Sequence, residues 1–157
     1  MEFRFDADAL FKPGEADDFF AARRPGLEFD PTCLTYSPVN AWWLAELSRL
    51  VYRQEAAEGT ERSAGDVTRT DLLASVGLRE RLFFHEEETC QGAVVESVDP
   101  EREPWSALVF RGTNSPQDWL ANTGAVLGSW RDGGLVHIGF RDALERQWAR
   151  IESALGE

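Results

Sequence analysis

The chain has 157 residues, 16 of them basic and 28 acidic, for a formal charge of −12; 43% are hydrophobic and 11% aromatic. A length of this order builds one sizeable core and not two, which describes one globular domain or part of a larger one. Negative charge without any basic run repels phosphate backbones and anionic head groups over about 8 Å at physiological salt, so nucleic acid is excluded as an expected partner.

No stretch approaches the ~20 apolar residues that a membrane-spanning helix needs. Met1 to Phe20 carries Asp6, Asp8, Glu15, Asp17 and Asp18 and lacks the apolar run of a secretory signal. The expected location is therefore the cytoplasm, with signal-independent export as the other route. Cys33 and Cys90 are too few for a disulfide framework and form no zinc pattern, and no phosphate-binding, dinucleotide or calcium loop motif occurs. Neither a metal nor a cofactor is expected.

Residues 1–36 mix Pro13, Gly14, Pro25, Gly26 and Pro31 with short apolar clusters, which predicts an arm over a core with little regular structure. Residues 37–157 then form the folded region. Ser37-Pro38 offers an N-cap with proline at the first helical position. Trp43, Leu44, Leu47, Leu50 and Val51 follow at helical spacing, so a helix is predicted over 38–55. The polar segment Glu58 to Asp66 reads as a loop. Thr70 is the predicted cap of a short helix through Leu72, Leu73 and Val76, stopped by Gly77.

From residue 80 the periodicity changes. Arg81–His85 and Thr89–Val98, separated by Glu86-Glu87-Glu88, read as a β-hairpin. Trp105 to Phe110 is a nearly continuous apolar run, which predicts a strand buried on both faces in the centre of a sheet. Pro116 starts a short predicted helix through Trp119 and Leu120, and Thr123 to Gly134 reads as a glycine-rich loop. Phe140, Ala143, Leu144, Trp148, Ile151 and Leu155 line one face of a last helix. The fold class is α/β, a mixed sheet with flanking helices. A central strand needs neighbours on both sides and the last helix should cross to another parallel strand, so the pattern reads as a fold interrupted at Glu157.

Three segments together resemble the class 3 lipases, the fungal-lipase-like branch of the α/β-hydrolases. The first is Asn40-Ala41-Trp42-Trp43-Leu44-Ala45-Glu46-Leu47-Ser48-Arg49-Leu50-Val51-Tyr52-Arg53, similar to the early helix of bacterial members. The second is Leu108-Val109-Phe110-Arg111-Gly112-Thr113 with Asp118-Trp119-Leu120 and Asn122, similar to the strand, oxyanion loop and lid-proximal helix. The third is Val136-His137-Ile138-Gly139-Phe140, similar to the lead-in to the helix before the nucleophile strand. The resemblance spans about residues 38–155 and implies a partial α/β-hydrolase sheet.

It also implies roles. Ester cleavage creates a tetrahedral oxyanion, and donors aimed at that oxygen are worth about 10²–10³ in rate. The resemblance puts such a donor at Thr113; the other reading of Gly112-Thr113 is a strand-ending turn. It puts Trp119 beside a mobile lid, the other reading being a tryptophan filling a core gap. Arg111 would be costly if buried alone, so a carboxylate partner is expected, with Asp118 the candidate. His137 is implied to be a packed, hydrogen-bonded residue and not a catalytic base. His85, beside Glu86, Glu87 and Glu88, reads as part of a solvated acidic turn and not as a metal ligand.

The nucleophile elbow of these hydrolases, G-x-S-x-G, holds serine on a strained strand-to-helix turn. None of the nine serines has glycine at both −2 and +2; Ser63 and Ser75 have it on one side only. The chain is thus expected to carry an oxyanion donor and substrate-side elements of a lipase, with nucleophile, acid and base elsewhere, and to be inactive by itself. Its expected partners are a lipid or ester substrate and a complementing C-terminal segment. The alternative is a non-catalytic interaction module, an oligomeric pseudo-hydrolase whose open sheet edge is covered by a second copy.

Overall fold

The computed structural model describes residues 13–15, 18–53, 67–86, 90–111, 126–131 and 133–156. After a 3₁₀ turn at Pro13–Glu15 come helix α1 (Pro38–Leu50), helix α2 (Arg69–Ser75), strands β1 (Leu78–Glu86), β2 (Cys90–Ser97) and β3 (Ser106–Phe110), the short strands β4 (Leu127–Ser129) and β5 (Leu135–His137), and helix α3 (Ile138–Gly156). β1, β2 and β3 form one antiparallel sheet in that order, and β4 and β5 a second. The protein is a small mixed α/β structure.

The helix starts follow their capping chemistry. Ser37 accepts the Asn40 N–H with Pro38 inside the first turn, as its sequence predicts, and α1 ends at Leu50, sooner than the periodicity suggests. The cap of α2 is Thr68 and not Thr70. Thr68 and Asp71 exchange side-chain and backbone bonds as a capping box, and the residue three places after Thr70 is Leu73, which cannot reciprocate. Gly77 then stops α2 at φ +76°, where a side chain would be strained.

The hairpin is present, with β1 three residues longer at its start than expected because a bulge breaks its alternation. Glu80 lies opposite Val95 and Leu82 opposite Val94, leaving Arg81 as the extra residue. Leu78 and Phe83 therefore face one core, while Leu82 and Phe84 face the other.

The strand covered on both faces is β2, a correction to the expectation for Trp105–Phe110. Residues 91–95 are all buried, whereas in β3 only Ala107 and Val109 are, and among the described residues β3 pairs with β2 alone. On one face Ala93, Val95, Ala107 and Val109 pack with Trp43, Leu47 and Leu50 of α1, Leu73 of α2, and Phe19 and Phe20 of the arm. On the other face Ile151 of α3 meets Phe84 and Val94. Gly92 lets the Phe84 ring cross β2, since a Cβ there would collide with that ring and with the Val109 carbonyl.

Among its described residues, the arm is irregular apart from its 3₁₀ turn but well anchored. The Trp43 indole donates to the Leu27 carbonyl at 3.0 Å, and the Phe20 N–H donates to Glu46 Oε2 at 2.8 Å. Within the segment expected to be a loop, Leu127–Ser129 pairs with Leu135–His137 around Gly133 and Gly134, both at positive φ. Apolar residues flanking a Gly-Gly pair are a hairpin signal that the loop reading passed over.

Candidate functional site

Of the residues that the sequence singled out, Arg111 lies at the carboxyl end of β3, His137 and Phe140 at the junction of β5 with α3, and His85 near the end of β1. Thr113, Gly112, Asp118 and Trp119 lie outside the described residues, as does the short helix expected after Pro116. Arg111, the first residue after β3, is described, while Asp118, its expected carboxylate partner, lies outside the described residues. Its Nη1 donates to Gln91 Oε1 at 3.1 Å, its backbone N–H donates to the Gln91 carbonyl at 2.8 Å, and its guanidinium lies 5.7 Å from the centre of the Tyr52 ring. An amide oxygen and an aromatic face thus hold the charge between them.

Gln91 was not identified from sequence. It stands on the α1 side of β2, and its Nε2 donates to the Val51 carbonyl at 2.6 Å. Nearby, Arg69 is 4% exposed and forms a two-pronged pair with Glu80 on β1, with a further bond from its Nη1 to the Arg53 carbonyl at 2.8 Å. Its guanidinium lies 3.8 Å from the centre of the Phe83 ring. Gln91 and Arg69 thus bind the carbonyls of Val51, the C-cap of α1, and of Arg53, two residues beyond it. The only signal for either was a polar side chain within or beside an apolar run.

At the junction of β5 with α3 the H-x-G-F spacing has a geometric basis. The His137 ring folds back over Gly139, so that Nδ1 accepts the Gly139 N–H at 3.2 Å, and a Cβ at position 139 would sit 3.2 Å from the ring. The Phe140 ring is centred 5.1 Å from that of His137. With Nδ1 accepting, the neutral ring carries its proton on Nε2, which is buried and has no hydrogen-bond partner among the described residues. His137 is packed and hydrogen-bonded, as expected. Phe140 departs from its expected core position, being 69% exposed at the start of α3, where the hairpin leaves that flank open.

Between the β4–β5 hairpin and α3, Trp130, Arg131, Leu144, Glu145 and Trp148 line a small hollow of about 40 Å³. That is below the roughly 300–1,000 Å³ of ordinary small-molecule sites. A larger shallow hollow beside the arm contains Asp18, Glu46 and Arg49, and these pair with each other. His85 is exposed at the end of β1, and no group of three or more metal-ligating side chains occurs among the described residues. No described helix is long and apolar enough to cross a membrane.

No protein-family model matches the chain, and no curated protein or solved structure does so either.

Proposed function

We propose that these 157 residues are the N-terminal part of a class 3 lipase-like α/β-hydrolase that cleaves carboxylic esters of the acylglycerol kind with a serine triad. Thr113 supplies an oxyanion donor, Trp119 flanks the substrate, and the attacking serine, the acid and the base come from residues beyond this chain. The cytoplasm is the proposed location. What supports this is the resemblance of the Phe-Arg-Gly-Thr and His-x-Gly-Phe segments to that family, together with the elements that their described ends join. Arg111 leaves the carboxyl end of a sheet strand, and His137 runs directly into an amphipathic helix packed on that sheet.

The test has two arms. The coding sequence downstream is expected to encode G-H-S-x-G within roughly 10–30 codons, placing a serine elbow one strand beyond α3. In the complete enzyme, Thr113→Val is expected to slow turnover of a p-nitrophenyl acyl ester by about tenfold or more. Unchanged turnover would remove Thr113 from the site.

A second function, a non-catalytic interaction module, is favoured by the exposed apolar side chains of Val126, Leu127, Leu135 and Phe140 around the second sheet. Absence of the downstream motif, together with a monodisperse oligomer of the 157-residue product, would select it.

A further inference from the structure

Gln91 is only 4% exposed, and a buried primary amide is costly unless both its donor and its acceptor are satisfied. Here both are, by groups that leave no freedom in the orientation of the amide. The Arg111 guanidinium can only donate, so it takes Oε1; the Val51 carbonyl can only accept, so it takes Nε2. A leucine at position 91 could bind neither group, and a glutamate or lysine could bind only one.

The two ends of this link matter to the fold. Val51 caps the C-terminus of α1, where carbonyls lack helical partners, and lies 40 residues from Gln91 in sequence. Arg111 is 20 residues from Gln91 and is held by three contacts: main chain to main chain, guanidinium to amide, and guanidinium over the ring of Tyr52, the neighbour of Val51. An arginine that only needed solvation at a strand end would not require a buried amide on the central strand.

We infer that Gln91 is a positioning residue that clamps Arg111 to the end of α1 and so fixes the direction in which the chain leaves β3 toward Gly112 and Thr113. The clamp itself is independent of any activity. Any bearing of the clamp on Thr113 rests on the ester-hydrolase proposal.

Amide hydrogen exchange on the 157-residue chain, read residue by residue by NMR, tests the clamp. In Gln91→Met, which keeps the side-chain length and removes both bonds, the Arg111 amide is expected to exchange at least about tenfold faster. The Ala93 amide, within the same strand, is expected to stay within about twofold of wild type. Gln91→Glu keeps an acceptor for Arg111 but leaves Val51 without its donor, which cuts the tie to α1, so the Arg111 amide is expected to stay clearly less protected than in wild type. Should Gln91→Met fail to fold, Arg111→Met keeps the Gln91–Val51 bond and is expected to speed exchange at residues 110 and 111 with Ala93 unaffected.

Equal acceleration at Ala93 and Arg111, no acceleration at Arg111, or wild-type protection in Gln91→Glu would each overturn the inference. The ester-hydrolase proposal fails separately, through Thr113→Val turnover. A clamp confirmed by exchange alongside unchanged turnover would leave Gln91 with its role and Thr113 without one.

Discussion

On one face of the three-stranded sheet, two helices and the arm close over Ala93, Val95, Ala107 and Val109; on the other, α3 sets Ile151 against Phe84 and Val94, with Leu144 and Trp148 only partly buried. The first face is also tied at its margin by buried polar groups, Arg69 and Gln91, each reaching across to the end of α1. The second face gives way along β2 to Glu96, which two arginines hold near the sheet end. Phe140 and Leu155, near the two ends of α3, stay exposed. A core closed by three separate segments can be anchored from several directions, whereas one helix over a sheet covers only the stripe beneath it. Among the described residues, the larger buried core therefore lies on the α1 side.

The sharpest way to break this comparison is to remove the polar tie. Arg69→Met leaves Glu80 partly buried without its cation and is expected to destabilise the chain by about 3–5 kcal/mol in urea unfolding. Replacing both partners, Arg69→Met with Glu80→Leu, is expected to recover much of that loss. A small effect of the single substitution would mean that the tie contributes little to the α1 side.

Next in size are two cavity substitutions, one on each face. Leu47→Ala and Ile151→Ala both fall in the range of about 2–5 kcal/mol, with Leu47 expected near the top and Ile151 near the bottom. The reason is that α3, held from one side, can settle into the space that Ile151 leaves. Equal losses in parallel urea titrations would show the two faces to be equally rigid.

The smallest effect is a pH dependence on the α3 side. The hydrogen bond from Arg79, opposed by burial and helped by Arg81, holds the Glu96 carboxyl below the usual glutamate range. A group depressed in this way stabilises the fold above its unfolded pKa of about 4.3. That contribution is lost as pH falls through the lower, folded value. Glu96→Gln is therefore expected to flatten the decline in unfolding midpoint below about pH 4–5, with little change in its slope near neutrality. An unchanged acid slope would place the acid sensitivity in other carboxylates.

Much of the element order was legible, for local reasons. Ser37-Pro38 fixed the start of α1, Gly77 the end of α2, and the β1–β2 hairpin and α3 followed from their periodicity. The misreadings arose where a contact within the chain competed with a simpler pattern. Thr70 has the chemistry of a cap, but Asp71 pairs with Thr68 instead, and within 123–134, a segment that reads as a loop, lies a strand only three residues long. At the candidate site, the local packing of His137 was foreseen. The contact of Arg111 with Gln91 was not, because an amide on the neighbouring strand leaves no trace in local spacing.

By itself, then, the sequence determined what is settled within a few residues: caps, turn glycines, and the alternation that makes a segment a helix or a strand. Tertiary structure alone decided that Arg81 bulges, so that Leu78 and Phe83 share one core and Phe84 takes the other. It also decided that β2 and not β3 is the strand covered on both faces, and that Gln91 joins two segments 20 and 40 residues away. Burial and the pairing of buried polar groups depend on which distant surfaces meet, and a one-residue change of strand phase reverses every side chain that follows it.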